Sequence, residues 1–310
     1  MQKKFRIAIL GIGGVGGFIG GKLAAAYSHS KEIEIIFIVR GSNAEAIKEN
    51  GLKLITPTEE LIVRPDLVAD DINSIGDIDL LICCTKTYDL EKSVKALKSS
   101  ISPHTLILPL LNGIDSTEKI QSIVPDSKVL QGCIYLVSKI IAPSTVQQRG
   151  EFYSVHFGGD KAFEAEYPKL IDLFSKANIN AVYEENILQK IWSKFSFISP
   201  IATYTSAYNI SIGKILESDE HTTYIKKLME EILLLATSLN INMPSDTIEK
   251  NFQVMGRLPY ETTSSMQADF TAHKPTELET LTGVVVRKAS EAGIVLDSYS
   301  EMYKLLLGKL

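Results

Sequence analysis

A chain of 310 residues, 45% of them hydrophobic, exceeds a typical single domain and holds enough apolar material for two cores. Its formal net charge of −5 excludes the basic footprint of a nucleic-acid binder. The longest apolar run, 101–111, carries His104 and Pro109 and falls far short of a membrane span.

The predicted elements begin with a strand at 6–10, directly after Met1–Phe5, which leaves no room for a signal peptide. Gly11, Gly13 and Gly16 follow as G-x-G-x-x-G, and Phe18, Ile19 and Leu23 then recur at helical spacing across 14–28. Glycines between a strand and a helix permit a tight turn, close approach of a pyrophosphate and close helix–strand packing. A dinucleotide site is therefore expected at Gly11, Gly13, Gly14, Val15 and Gly16. Strand runs at 34–39, 78–84 and 105–111 alternate with helical patterns at 43–50, 88–98 and 116–123, the signature of a doubly wound parallel sheet. Residues 52–64 read as an inserted hairpin. From 128 to 157 several antiparallel strands are expected, with turns at Ala142-Pro143-Ser144 and Arg149-Gly150. A helix at 166–177 and a strand at 179–183 complete the first domain. Beyond 185 only helical patterns remain, at 186–206, 219–239, 246–255, 277–292 and 297–308. The predicted organisation is an α/β N-terminal domain over 1–184 and an all-α C-terminal domain over 185–310.

Ligands of open α/β sheets sit at the carboxyl ends of the strands, so the residues there are candidates. The second strand ends at Arg40, where an acidic residue would hold an NAD ribose and an arginine suits a 2′-phosphate. A solvated surface arginine is the alternative. Lys86 follows the third strand and Asn112 the fourth, although a solvated lysine and plain Asn-Gly turn chemistry would also explain them. In the helical half, Lys194 follows Trp192 and sits among Phe195, Phe197 and Ile198; a side chain reaching out to water is the competing reading. Thr276 and Glu279 have capping-box spacing, which leaves Glu277 in the first helical turn. Cysteines 83, 84 and 133 form neither a disulfide framework nor a C-x-x-C site, and the five histidines are scattered, so no metal is expected.

Taken in order, the glycine motif, Arg40, Thr85-Lys86, Asn112-Gly113, Trp192-Ser193-Lys194, Ser264-Ser265-Met266 with Asp269, and Thr276-Glu277 resemble the ketopantoate reductases, 2-dehydropantoate 2-reductases. The resemblance spans nearly the whole chain. It implies a Rossmann-like domain followed by a helical one, NADPH as cofactor, and reduction of ketopantoate to pantoate on the route to pantothenate. It implies that Lys194 gives a proton to the carbonyl oxygen and that Glu277 positions the substrate hydroxyl and orients Lys194. Ser265 would help bind the carboxylate, Asn112 would lie near nicotinamide and carbonyl, and Arg40 and Lys86 would hold cofactor phosphate and ribose. The chemistry is sound in itself, because a protonated amine stabilises and then quenches a developing alkoxide.

One departure stands out. The family usually has asparagines four and eight residues after this lysine; here those positions are Ile198 and Ala202, with Pro200 between them, while Thr205 remains polar and is expected to help grip the substrate. Two alternatives follow: a D-2-hydroxyacid dehydrogenase of the same superfamily acting on a more apolar 2-oxo acid, or a non-catalytic NADPH-binding sensor. Retention of Lys194 and Glu277 counts against the sensor. The expected partner is a small-molecule 2-oxo acid, with no nucleic acid and no membrane, in the cytoplasm; the sequence leaves room for a homodimer.

Overall fold

A parallel-sheet signal followed by a run of helical ones corresponds to a chain of two units in the computed structural model, which describes residues 3–71 and 75–310. Met1 and Gln2, part of the start expected to run straight into the first strand, lie outside the described residues. The first unit holds β1 (Phe5–Leu10), α1 (Gly14–Tyr27), β2 (Ile33–Ile38), α2 (Ser42–Asn50), β3 (Leu52–Ile55), β4 (Glu60–Val63), β5 (Leu67–Ala69), β6 (Leu80–Cys83), α3 (Thr87–Ala96), β7 (Leu106–Pro109), α4 (Ser116–Ile123), β8 (Lys128–Val129), β9 (Gln131–Ala142), β10 (Thr145–Gly158), α5 (Tyr167–Lys176) and β11 (Ala181–Tyr183).

Strands β5-β2-β1-β6-β7-β8 form a six-stranded sheet in which every pairing is parallel. Its central strands are continuous apolar runs because both faces are covered. The 52–64 hairpin does form, as β3 and β4, yet it is no isolated insertion. It joins a second sheet, β11-β10-β3-β4, with β9 paired to β10. Helix α1 shares one core with both sheets: Phe18, Ile19 and Leu23 pack with Ile7, Phe37, Leu54, Val146 and Phe157. A helix buried on both sides reads as apolar all round, and small residues let the sheets come close. A side chain at Gly17 would strike Val146, and one at Gly20 would strike Phe37.

Two expectations need correction here. The start of the 128–157 region is not antiparallel: β8 adds to the first sheet beside β7, in parallel. Strand β5 was missed because three residues carry too little periodicity to register.

The second unit carries α6 (Ile187–Tyr208), α7 (Ile212–Leu216), α8 (Asp219–Ser238), α9 (Thr247–Met255), α10 (Ser265–Thr271), a π-helical segment (Glu279–Gly283) continuing as α11 (Val284–Glu291), and α12 (Asp297–Leu307). Helices α7 and α10, of five and seven residues, are too short to show an amphipathic repeat and had no counterpart in the sequence reading. The core gathers around α8, where Ile225, Leu228, Met229, Ile232 and Leu235 are fully buried. Pro200 does stand inside α6. It has no N–H for the carbonyl of Ser196, and the buried Asn251 of α9 supplies one instead, donating from Nδ2 to Ser196 O and to Ser196 Oγ, each at 3.1 Å.

Packing divides the chain into residues 1–111 with 116–187, and residues 112–115 with 188–310. The single cut expected at 184/185 therefore misses a detail. Four residues of the β7–α4 connection go with the helices: Asn112 and Asp115 bond there, Gly113 approaches Thr280, and Ile114 packs on the helical core.

Candidate active site

In the nucleotide-type unit the glycine loop turns out of β1 with Gly11 at φ +90°, a conformation that a side chain would strain, and its missing Cβ lies 2.9 Å from the backbone of Thr85. Gly16 sits against the carbonyl of Gly11 and against Cys84, so helix and strand meet closely at the third motif position. Around Gly13, by contrast, a Cβ would meet nothing within 4 Å. The second glycine leaves open space where an anion can reach the backbone. Gly13 is also the N-cap of α1, which has no side-chain cap and no acidic residue in its first turn, so its first N–H groups and the helix dipole favour a phosphate there.

Two buried hydroxyl oxygens border this loop without a hydrogen-bond partner: Thr85 Oγ1 beneath Gly11, and Ser138 Oγ, whose residue packs against Gly14. Lys86 follows Thr85 as the N-cap of α3. Arg40 is exposed just past β2 and is followed by Gly41, the N-cap of α2, at φ +67°. The sequence reading missed Asn43. Its Nδ2 donates to Ile12 O at 3.2 Å and its Oδ1 accepts from Ser144 N at 2.8 Å, tying the glycine loop to the β9–β10 turn. An asparagine at the start of a helix was the available signal; the partner 101 residues away was not. Burial pushes the Cys83 thiol up to about 12 and the Cys84 thiol well above its usual value, so both are packing residues rather than nucleophiles.

In the helical unit Lys194 projects from the second turn of α6, half-buried, and donates from Nζ to Asn112 Oδ1 at 2.9 Å. These two residues, 82 apart in sequence, are brought together within this unit. One turn along α6 lies Ile198, half-buried, and then the buried Ala202. Neighbouring hydroxyls are engaged elsewhere: Ser199 donates to Leu281 O and meets the Tyr299 hydroxyl at 2.6 Å, and Thr203 pairs with Thr282 at 2.7 Å.

Thr205, expected to help grip the substrate, is engaged within the helical unit. It is fully buried, gives its one proton to Ile201 O at 2.7 Å, and accepts at 2.9 Å from Ser264. Ser264 is the N-cap of α10 and accepts from Gln267 N at 3.0 Å, so Thr205 supports the turn that presents the exposed Ser265. The capping box also fails to form. Thr276 Oγ1 accepts from Leu278 N at 3.4 Å, but the Glu279 carboxylate turns away to accept from the Tyr303 hydroxyl at 2.5 Å. Glu277 is buried, and its carbonyl accepts from Thr280 N and Leu281 N, opening the π-helical segment, a rare geometry often found at functional sites.

Comparison with known proteins gives the same pattern over both units. The family model described as ketopantoate reductase PanE/ApbA matches residues 7–160, and that described as ketopantoate reductase PanE/ApbA C terminal matches 186–309. A 2-dehydropantoate 2-reductase of Streptococcus pyogenes serotype M3 is 24% identical over 250 residues, covering 80% of this chain and 81% of that protein. The crystal structure of 2-dehydropantoate 2-reductase from Porphyromonas gingivalis W83 is similar with a TM-score of 0.84 and 30% identity, over 98% of this chain and 100% of the other. The ternary structure of D-mandelate dehydrogenase with NADH and anilino(oxo)acetate has the same fold, with a TM-score of 0.87 and 23% identity over 98% of each chain. Among the described residues no helix is long and apolar enough to cross a membrane.

Proposed function

Since the chain belongs to the ketopantoate reductase family, we propose that it reduces the 2-oxo group of a small carboxylic acid with NADPH, ketopantoate to (R)-pantoate in pantothenate biosynthesis being the first substrate to test. The observation that carries this reading is the Lys194–Asn112 hydrogen bond of 2.9 Å. An amine oriented by an amide oxygen supports the proton-donor role that the family resemblance implies for Lys194.

The residues present fit a dinucleotide. The uncapped start of α1 and the open space at Gly13 would take the pyrophosphate, with Lys86 and the exposed Arg40 on phosphate and ribose. Arginine in place of an acidic residue favours the 2′-phosphate form. When bound there, NADPH would supply the hydride for the carbonyl carbon. Lys194 meets the negative charge that develops on the carbonyl oxygen and transfers a proton from Nζ to it. Asn112, by accepting from the same ammonium, fixes its direction. The buried Glu277 and the exposed Ser265 are assigned to the substrate's polar groups. A cytoplasmic location accords with NADPH chemistry and three free thiols.

A second reading has its own observation. Ile198 and Ala202 offer no hydrogen bond on the face of α6 that bears Lys194, and Thr205 has its proton engaged. This favours a 2-oxo acid with a more apolar side chain, as in D-2-hydroxyacid dehydrogenases such as the D-mandelate enzyme of similar fold. Cofactor oxidation measured with NADPH and NADH against ketopantoate, 2-oxoisovalerate and phenylglyoxylate decides between them. Ketopantoate turned over best supports the first reading and phenylglyoxylate best the second; no turnover of any sinks both.

A further inference from the structure

The segment 112–115 connects β7 to α4, two elements of the nucleotide-type unit, yet it packs as part of the helical unit. Among the described residues, three attachments on it stand out. Asn112 Oδ1 accepts from Lys194 Nζ. Gly113, at φ +104°, comes so close to the π-helical segment that a Cβ would lie 2.5 Å from Thr280 Cγ2. Asp115, whose side chain is only 6% exposed, accepts from Arg287 Nη2 of α11 at 3.2 Å.

These attachments differ in what they can do. The Gly113 contact is steric and sets only how near the turn can come. The Lys194–Asn112 bond belongs to the reacting group itself, so it cannot hold its own partner in place while the proton leaves. The Asp115–Arg287 pair is an ionic tie that involves no reacting atom. Its arginine is steadied from the other side by Glu279, whose Oε2 stands 4.0 Å from Arg287 Nη1 and whose Oε1 accepts from Tyr303 of α12. The chain Tyr303–Glu279–Arg287–Asp115 thus runs from α12 through the π-helical segment and α11 to the turn that carries Asn112. Taking a cation away from a carboxylate this buried is costly, so the pair helps to keep the turn where it is.

We propose that Arg287 is a positioning residue for the reduction: through Asp115 it fixes the Asn112–Gly113 turn so that the Asn112 amide oxygen stays on the Lys194 ammonium. This rests on the reading of Lys194 as proton donor, and it assigns Arg287 no contact with substrate or cofactor.

The test uses the full chain with NADPH and whichever of ketopantoate, 2-oxoisovalerate and phenylglyoxylate it reduces. Arg287→Ala should raise deuterium uptake in the peptide spanning 110–118 and lower kcat about tenfold or more, the scale expected of a slightly misplaced catalytic group. NADPH affinity should stay within about twofold, because no cofactor contact is removed. The basic limb of the kcat–pH profile should move to lower pH, since the ammonium loses its fixed acceptor. Arg287→Lys, which keeps the charge, should recover most of the turnover and the limb. Should Arg287→Ala fail to fold, Asp115→Asn, equal in size, carries the same expectations. Unchanged uptake across 110–118 overturns the proposal, as does raised uptake with wild-type kcat and limb. Lys194→Ala, run beside them, separates the two ideas: normal turnover there removes the proton-donor reading and the proposal with it, whereas lost turnover there with wild-type kcat in Arg287→Ala overturns the proposal alone.

Discussion

Asn251→Leu should destabilise the helical unit through a carbonyl that Pro200 has already deprived of its helical partner. Asn251 Nδ2 donates to Ser196 O and Ser196 Oγ, each at 3.1 Å, in a site where Asn251 and Ser196 are both buried. Leucine is close to asparagine in size, so the loss is mainly polar: two neutral hydrogen bonds and one stranded buried carbonyl, about 2–3 kcal/mol in all. The Ser196 hydroxyl keeps its own bond to Ser193 O and does not add to the loss. Thermal denaturation should report a fall of roughly 4–10 °C for such a change. In a Pro200→Ala background the restored N–H reaches Ser196 O along the helix, so the same Asn251→Leu change should cost only about 1 kcal/mol. The two substitutions should therefore couple by about 1–2 kcal/mol in a double-mutant cycle. Strict additivity would refute the reasoning, since it would mean that Asn251 serves something other than the carbonyl freed by Pro200.

Lys194→Ala should lower turnover by about 10²-fold or more while NADPH still binds, the usual scale for a positioned general acid; near-normal kcat in a folded variant excludes that role. Arg40→Asp should weaken NADPH binding by about 2 kcal/mol or more and leave NADH unchanged or improved, because a charged bond is replaced by repulsion. Equal losses for both cofactors in a fluorescence titration would show that Arg40 does not read the 2′-phosphate. Ile198→Asn should raise kcat/KM for ketopantoate by several-fold, as one neutral hydrogen bond of about 1 kcal/mol allows, and not for 2-oxoisovalerate, which lacks the hydroxyl. Equal harm to both substrates would make position 198 a packing residue.

The sequence by itself determined the elements whose causes are local. The G-x-G-x-x-G between β1 and α1 is legible because each glycine answers a short-range demand: the turn at Gly11, open space at Gly13 and close packing at Gly16. The alternation of apolar runs with helical patterns fixed the four central strands of the parallel sheet, and the helical periodicity after 185 fixed the second unit. Lys194, Asn112 and Glu277 were visible as polar residues out of place in their surroundings or at strand and helix ends. Tertiary structure alone decided what depends on distant partners. The 52–64 hairpin became part of a second sheet because β3 pairs with β10, more than 90 residues on. Thr205 gives its proton to Ile201 O and bonds Ser264, partners that periodicity could not show. Glu279 left its capping box for Tyr303, and residues 112–115 joined the helices through Lys194, Thr280 and Arg287. A side chain's single proton or charge can be spent only once, and which neighbour receives it is settled by packing between segments that local periodicity cannot bring together.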